Sequence, residues 1–62
     1  MINVLHLEAG DKIRLADDVI AEVVLNPRDG VWVQVRYVSA PTAPDKVGTE
    51  ELIFAETIID LA

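Results

Sequence analysis

The side chains that most often take part in catalysis are sparse in this chain of 62 residues. It has one histidine, His6, and no cysteine. A single imidazole can act as a general base or a pH switch, but a transition metal needs further nitrogen or thiolate ligands. We therefore expect His6 to be a partly exposed strand residue without a catalytic or metal-binding role.

The acidic side chains offer a second kind of chemistry, a site for a hard cation that prefers oxygen ligands. The candidates are two adjacent pairs and one further glutamate: Asp17 and Asp18, Glu50 and Glu51, and Glu56. Neighbouring residues on a strand point to opposite faces, and none of these spacings matches a calcium-binding loop. We expect these carboxylates to lie in turns and at solvated edges, and we expect no metal.

The remaining residues give no setting for a nucleophile or for phosphate binding. Ser39 begins a proline-rich loop, and the three glycines are dispersed, whereas a phosphate-binding loop needs clustered glycines. The sequence therefore predicts a protein that is not an enzyme and has no cofactor.

The clearest potential for binding lies in one tryptophan and one arginine that alternate with aliphatic residues. Exposed tryptophan and arginine are enriched among the residues that dominate protein interfaces. The predicted protein-binding residues are Trp32, Gln34, Arg36, Ile20 and Val24. Three interpretations stay open: these residues bind another protein, they bind a second copy of the chain, or Trp32 packs under the loop of residues 39–49.

Net charge restricts the partners. Eleven acidic and five basic residues give a net charge of −6, which argues against direct contact with nucleic acid or an anionic membrane, since Lys and Arg supply that affinity. The same charge motivates an alternative function, an acidic mimic of nucleic acid that inhibits a DNA- or RNA-binding protein. Residues 1–6 lack the features of a signal peptide, and no apolar run approaches the length of a membrane span. We expect a soluble cytoplasmic protein.

The predicted binding residues must be positioned by a long β-hairpin over residues 18–38. Two apolar, β-branched runs flank residues 26–30, whose sequence Asn-Pro-Arg-Asp-Gly is typical of a turn with positive φ at Gly30. If Leu25 faces Val31, alternate residues share one apolar face, whereas pairing of Leu25 with Trp32 would exchange the two faces of one strand. The residues on this face are Val19, Ala21, Val23, Leu25, Val31, Val33, Val35 and Tyr37. We expect this face to be the core side and the binding residues to lie on the opposite face.

Shorter elements are predicted on both sides of the hairpin. They are an edge strand at residues 3–7, a turn at Gly10-Asp11, a strand at residues 12–15, a turn at residues 16–18, a loop at residues 39–49, a strand at residues 50–54, a short 3₁₀ turn at residues 55–57 and a last strand at residues 58–61. The residues that we predict to be buried are Val23, Val33, Val35, Leu15 and Leu52.

This arrangement resembles an SH3-like small β-barrel. The residues that carry the resemblance are Leu7-x-x-Gly10-Asp11-x-Ile13-x-Leu15, Ala21-x-Val23, Val33-x-Val35-x-Tyr37, and Leu52-x-Phe54 followed by Ile58 and Ile59. KOW and Tudor domains and related bacterial or bacteriophage accessory proteins share this layout. The resemblance implies one all-β domain over residues 1–62, with four or five antiparallel strands, that acts by binding another protein.

One enzyme family is also built from SH3-like chains, the plasmid-borne trimethoprim-resistance dihydrofolate reductase, which forms a tetramer with a central pore. That pore depends on a Gln-Ile-Tyr strand, whereas this chain has Leu52-Ile53-Phe54. The resemblance therefore implies a third possible function, a subunit of an oligomeric pore that binds a small molecule. A Tudor-like reader of methylated ligands would need an aromatic cage, and this chain has only one Trp, one Tyr and one Phe.

Apolar content predicts self-association. The chain is 52% hydrophobic, and a domain of this size buries only about 60% of the surface that its unfolded chain exposes. We expect a homodimer, formed through the outer hairpin face or through open strand edges at residues 3–7 and near the C-terminus. Trp32→Ala or Trp32→Glu is expected to shift it toward monomer.

Overall fold

The computed structural model describes residues 4–62, which form a single antiparallel sheet. Its strands are β1 (Lys12–Arg14), β2 (Ile20–Leu25), β3 (Trp32–Ser39), β4 (Glu50–Phe54) and β5 (Asp60–Leu61). Their order across the sheet is β4-β3-β2-β1-β5. Within residues 4–62 no pairing joins β4 to β5, so the sheet is not closed into a barrel. The predicted all-β class with four or five antiparallel strands is confirmed, whereas the predicted closure into a small barrel is not observed within this range.

Among the described residues, one 3₁₀ turn at Val4–His6 precedes β1, and three more lie between strands, at Ala16–Asp18, Pro44–Lys46 and Ala55–Thr57. The turns predicted at residues 16–18 and 55–57 are thereby confirmed. In the turn Ala16–Asp18, Asp17 and Asp18 both have positive φ, 61° and 60°. Asp tolerates this conformation better than most residues do. The last strand is shorter than predicted, because the Ile58 N–H still bonds back to the Ala55 carbonyl (3.1 Å).

The edge strand predicted at residues 3–7 is wrong over its described part, and Asn3 lies outside the described residues. Val4–His6 is a 3₁₀ turn, so His6 is an exposed turn residue and not a strand residue. The Asn26 side-chain amide donates to the carbonyls of Val4 (2.7 Å) and Leu7 (3.0 Å). The Asn26 side chain therefore supplies hydrogen bonds to the Val4 and Leu7 carbonyls, which in an edge strand would come from the backbone of the neighbouring strand.

The hairpin forms with the predicted faces but in a different register. Val23 pairs with Val35 and Ala21 with Tyr37, two residues away from the predicted partners. Side chains alternate with a period of two, so the faces are unchanged over this part of the ladder. A bulge between Val23 and Leu25 then pairs Leu25 with Gln34, which turns Leu25 to the outer face.

The core lies on one face of the sheet. Its buried residues are Leu7, Ile13, Ala21, Val23, Val33, Val35, Tyr37, Ala55 and Ile58, with Val4, Leu15, Val19 and Ile53 packed against them. Burial of Val23, Val33 and Val35 is thus confirmed, whereas Leu15 is only half-buried.

Three residues predicted to face the core are instead exposed: Leu25 and Leu52 at 58% and Val31 at 48%. Leu25 follows the bulge and pairs with the outward-facing Gln34, and Val31 precedes β3. Leu52 pairs with Gln34 and shares its outward direction, while Ile53 takes the inward position.

Positive φ at Gly30 is confirmed, at 78°. A Cβ at this position would be in ordinary van der Waals contact with Leu5 Cδ2, at 3.8 Å. Gly30→Val should therefore destabilise mainly through backbone strain, by about 1 kcal/mol or more. Thermal melting measures this loss, with Gly30→Asn as the control that should lose less, since Asn tolerates positive φ. Equal melting temperatures for Gly30→Val and the unmodified chain would contradict the turn geometry.

Candidate protein-binding surface

The outer face of β3 and β4 carries most of the predicted binding residues. On β3, Trp32, Gln34 and Arg36 alternate with the buried Val33 and Val35, so they point away from the core. Their partners across the ladder are Phe54 for Trp32, Leu52 for Gln34 and Glu50 for Arg36. The structure therefore brings the three β3 residues together on one face and places three β4 side chains beside them.

An aromatic stack occupies one end of this face. The rings of Trp32 and Phe54 lie with centroids 4.1 Å apart and planes inclined by 24°. Trp32 remains 38% exposed and Phe54 47% exposed. Leu25 and Leu52 pair with Gln34 from either side and therefore lie on the same face. We call these four side chains, Leu25, Trp32, Leu52 and Phe54, the apolar patch.

A charged network occupies the other end of the face. Gln34 Nε2 donates to Glu50 Oε1 (3.0 Å), and Arg36 Nη2 donates to Glu50 Oε2 (2.6 Å). The hydrogen bond from Arg36 holds the pKa of the Glu50 carboxyl below its ordinary value. Glu22 pairs with Arg36 from β2. Gln34 and Arg36 are therefore held in place by partners within the chain.

The other two predicted binding residues lie farther from the aromatic stack. Ile20 is half-buried and pairs with Ser39 and Arg14. It begins β2, and in an antiparallel hairpin the start of β2 lies beside the end of β3, away from Trp32. Val24 is half-buried at the bulge. Trp32 begins β3, whereas the loop of residues 39–49 follows its other end.

A cleft of about 490 Å³ runs along β4, and part of it lies toward the core side. Its apolar walls include Leu15, Val19 and Ile53, and its polar groups include Tyr37, Glu51 and Lys46. The Tyr37 hydroxyl donates a hydrogen bond to the Glu51 carboxylate. Glu51 therefore has an internal partner, as Glu50 does on the outer face.

The Tyr37 phenol gives this cleft a measurable signature. Burial, followed by the hydrogen bond to Glu51, raises its pKa to about 12, above the value of about 10 for a free phenol. The neutral phenol is thus favoured in the folded chain. This stabilisation is complete below pH 10 and is lost as the pH rises through 12.

We expect ultraviolet titration of this one tyrosine to show ionisation near pH 12. Glu51→Gln should lower that pKa, since it removes the negative charge, yet leave it above 10, since Tyr37 stays buried. Tyr37→Phe supplies the spectroscopic blank. Titration of Tyr37 at pH 10 in the folded chain would contradict the hydrogen bond to Glu51 and the burial together.

The carboxylates considered as a cation site are not gathered into one. Within residues 4–62 no group of three or more His, Cys, Asp or Glu side chains is placed to hold a metal ion. Glu50 binds Arg36 and Gln34, and Glu51 binds Tyr37. Among the same residues, no helix has the length and apolar character needed to cross a membrane.

Three residues of the apolar patch were not predicted as binding residues: Leu25, Leu52 and Phe54. The segment Glu50-Glu51-Leu52-Ile53-Phe54 ends in three consecutive apolar residues, so its pattern does not distinguish the two faces. Glu50, at the acidic start of this segment, could have distinguished the two faces, because it is a suitable partner for Arg36. Pairing of Glu50 with Arg36 places Leu52 and Phe54 on the outer face.

Comparison of the chain with protein-family models, with curated proteins and with solved structures found no match. Its function is therefore argued from its own residues.

Proposed function

We propose that this chain is a non-enzymatic protein-interaction module that binds its partner through the apolar patch. One observation carries the proposal: four large apolar side chains share the outer face of the sheet and are between 38% and 58% exposed. Scattered apolar residues are common on protein surfaces, but a contiguous patch is typical of an interaction site.

The arrangement around the patch also supports binding. The stacked rings of Trp32 and Phe54 lie on adjacent paired strands, so little side-chain freedom remains to be lost when a partner binds. Arg36 and Glu50 satisfy each other beside the patch (2.6 Å). An apolar centre beside a polar border is the usual composition of a protein interface.

We also propose that the fold is an SH3-like variant. The strand order β4-β3-β2-β1-β5, the long β2–β3 hairpin and the 3₁₀ turn just before β5 support this assignment. The gap between β4 and β5 distinguishes the chain from a closed barrel. At the level of the fold, this proposal groups the chain with KOW- and Tudor-like accessory proteins.

The alternative of an acidic nucleic-acid mimic has less support. Such a mimic needs carboxylates that are free to meet basic residues of the target protein. Glu50 is bound to Arg36, and Asp60 is bound to Arg14 through two hydrogen bonds of 2.9 and 2.6 Å. Both carboxylates would have to exchange an internal partner for an external one.

The test is affinity capture from extracts of cells that express the chain. We expect the immobilised chain to retain a protein that the double variant Trp32→Ala, Phe54→Ala does not retain. Val47→Ala is the matched control, because Val47 is as exposed as Phe54 at 47% but belongs to the 39–49 loop. Circular dichroism verifies that each variant is folded. Equal capture by the double variant and the unmodified chain would contradict the apolar patch as the binding surface.

A further inference from the structure

Strand β4 has one edge that no strand covers within residues 4–62. The ladder to β3 is flanked by bonds from Ala55 N–H to Val31 O (2.7 Å) and from Tyr37 N–H to Thr49 O (3.0 Å). Alternate residues of an antiparallel ladder bond to the same neighbour. Glu51 and Ile53 therefore direct their backbone groups at β3, while Glu50, Leu52 and Phe54 direct theirs at the open edge.

Several features that usually prevent strands from pairing are absent from β4. Edge strands are commonly protected by charged side chains, lysine above all, by proline, by a bulge or by a covering segment. β4 contains neither lysine nor proline, its five-residue register with β3 is continuous, and its two charged residues, Glu50 and Glu51, are bound within the chain. The Phe54 carbonyl accepts a hydrogen bond from the Thr57 hydroxyl (2.6 Å), which marks the end of the open edge and leaves that oxygen a second lone pair.

We propose that a second copy of this chain occupies the edge, with the two β4 strands paired antiparallel about a twofold axis at Leu52. This inference rests on the proposed function and names the partner. Leu52 then faces Leu52 of the second copy, and Glu50 faces Phe54 of the second copy. The three outward-facing pairs would exchange about six backbone hydrogen bonds, two for each pair, and one sheet would run through both copies.

Charge favours the twofold axis at Leu52 over the axes at the neighbouring residues of β4. An axis at Glu51 would place two glutamates directly opposite each other, which is destabilising. An axis at Ile53 would pair Glu50 with Glu56 of the second copy and would extend the ladder into the 3₁₀ turn Ala55–Thr57. An axis at Leu52 uses all of β4 and sets every glutamate of the strand opposite an apolar residue.

Charge also favours a second copy over a basic peptide strand. The two acidic residues of β4 are already satisfied within the chain, Glu50 by Arg36 and Gln34, and Glu51 by the Tyr37 hydroxyl. What remains for a partner is apolar: Leu52 and Phe54 on the outer side and Ile53 on the core side. A second β4 supplies the same three apolar side chains in the complementary order.

The axis at Leu52 makes a prediction that only a symmetric pairing fulfils. Leu52→Lys and Leu52→Glu should each weaken self-association roughly 100-fold, because each variant loses apolar burial at the axis and brings like charges together there. An equal mixture of the two variants should associate again, because opposite charges then meet. Sedimentation velocity and native mass spectrometry measure both effects.

Leu61 supplies the matched control, because it is nearly as exposed as Leu52, at 55% against 58%, but lies on β5 at the opposite edge of the sheet. Leu61→Lys and Leu61→Glu should leave self-association unchanged. In a second measurement, mild oxidation should link Leu52→Cys into a covalent dimer at a concentration where Leu61→Cys stays unlinked. The natural chain has no cysteine, so no other disulfide competes.

A monomeric natural chain at high micromolar concentration would overturn the inference, and so would equal cross-linking of the two cysteine variants. Failure of the Leu52→Lys and Leu52→Glu mixture to reassociate would overturn the axis at Leu52. None of these results touches the proposed function, which fails only if capture of a protein is independent of Trp32 and Phe54.

Discussion

Ile13→Ala should lower the free energy of unfolding by about 2–4 kcal/mol, through lost apolar burial and the cavity left behind. Ile13 is fully buried, with 0% exposure, and β1 pairs with β2 at Ala21 and with β5 at Leu61. A core of this size contributes roughly 3–5 kcal/mol in all. The loss is therefore comparable with the whole stability, and the variant should have a measurable unfolded population at 25 °C.

Urea unfolding followed by circular dichroism measures this loss. Leu61→Ala is the control, because Leu61 pairs with Ile13 across β1 and β5 but is 55% exposed. It should lower the midpoint only slightly. Equal losses for the two variants would mean that β5, and not the interior, limits stability.

The apolar periodicity of the hairpin predicted its faces, because period-two alternation survives a two-residue change of register. It could not predict the register itself, since the bulge after Val23 depends on how β2 meets β3 and not on either strand alone. For the same reason Leu25 and Val31 were assigned to the core although they are exposed.

The candidate site was predictable in part for a similar reason. Trp32, Gln34 and Arg36 alternate with buried valines, so their shared outward direction follows from β3 alone. Leu52 and Phe54 join them only through the β3–β4 register, and the ten residues of loop 40–49 do not fix that register. The 3₁₀ turn at Val4–His6 was missed because it depends on hydrogen bonds from Asn26, distant in the sequence.

Asn26 links that turn to the hairpin loop. Its half-buried side-chain amide donates to the Val4 carbonyl (2.7 Å) and the Leu7 carbonyl (3.0 Å), and its Oδ1 accepts from the Arg28 N–H (2.9 Å). Leu7 belongs to the core and is 3% exposed. Asn26 therefore holds both the loop and the N-terminal part of the core in place.

Asn26→Asp should lower the free energy of unfolding by about 2–4 kcal/mol at pH 7, because two carbonyl oxygens lose a donor and then face a carboxylate. That setting raises the pKa of the introduced carboxyl in the folded state above its unfolded value of about 4. The folded variant therefore binds its proton more tightly than the unfolded variant. Its stability relative to the natural chain should rise as the pH falls from 7 to 4.

Asn26→Ala separates this pH effect from simple loss of the amide. It removes the same two donors without adding a titratable group, so its deficit relative to the natural chain should be constant between pH 7 and pH 4. At pH 7 the aspartate variant should be the less stable of the two, because a carboxylate opposes the carbonyls and alanine does not. At pH 4 the order should reverse, since a protonated carboxyl can donate one hydrogen bond and still accept from the Arg28 N–H.

Urea unfolding at each pH measures the free energy of unfolding of the natural chain and of both variants. Deficits that stay parallel for the two variants between pH 7 and pH 4 would show that the Asn26 side chain does not bind these carbonyls.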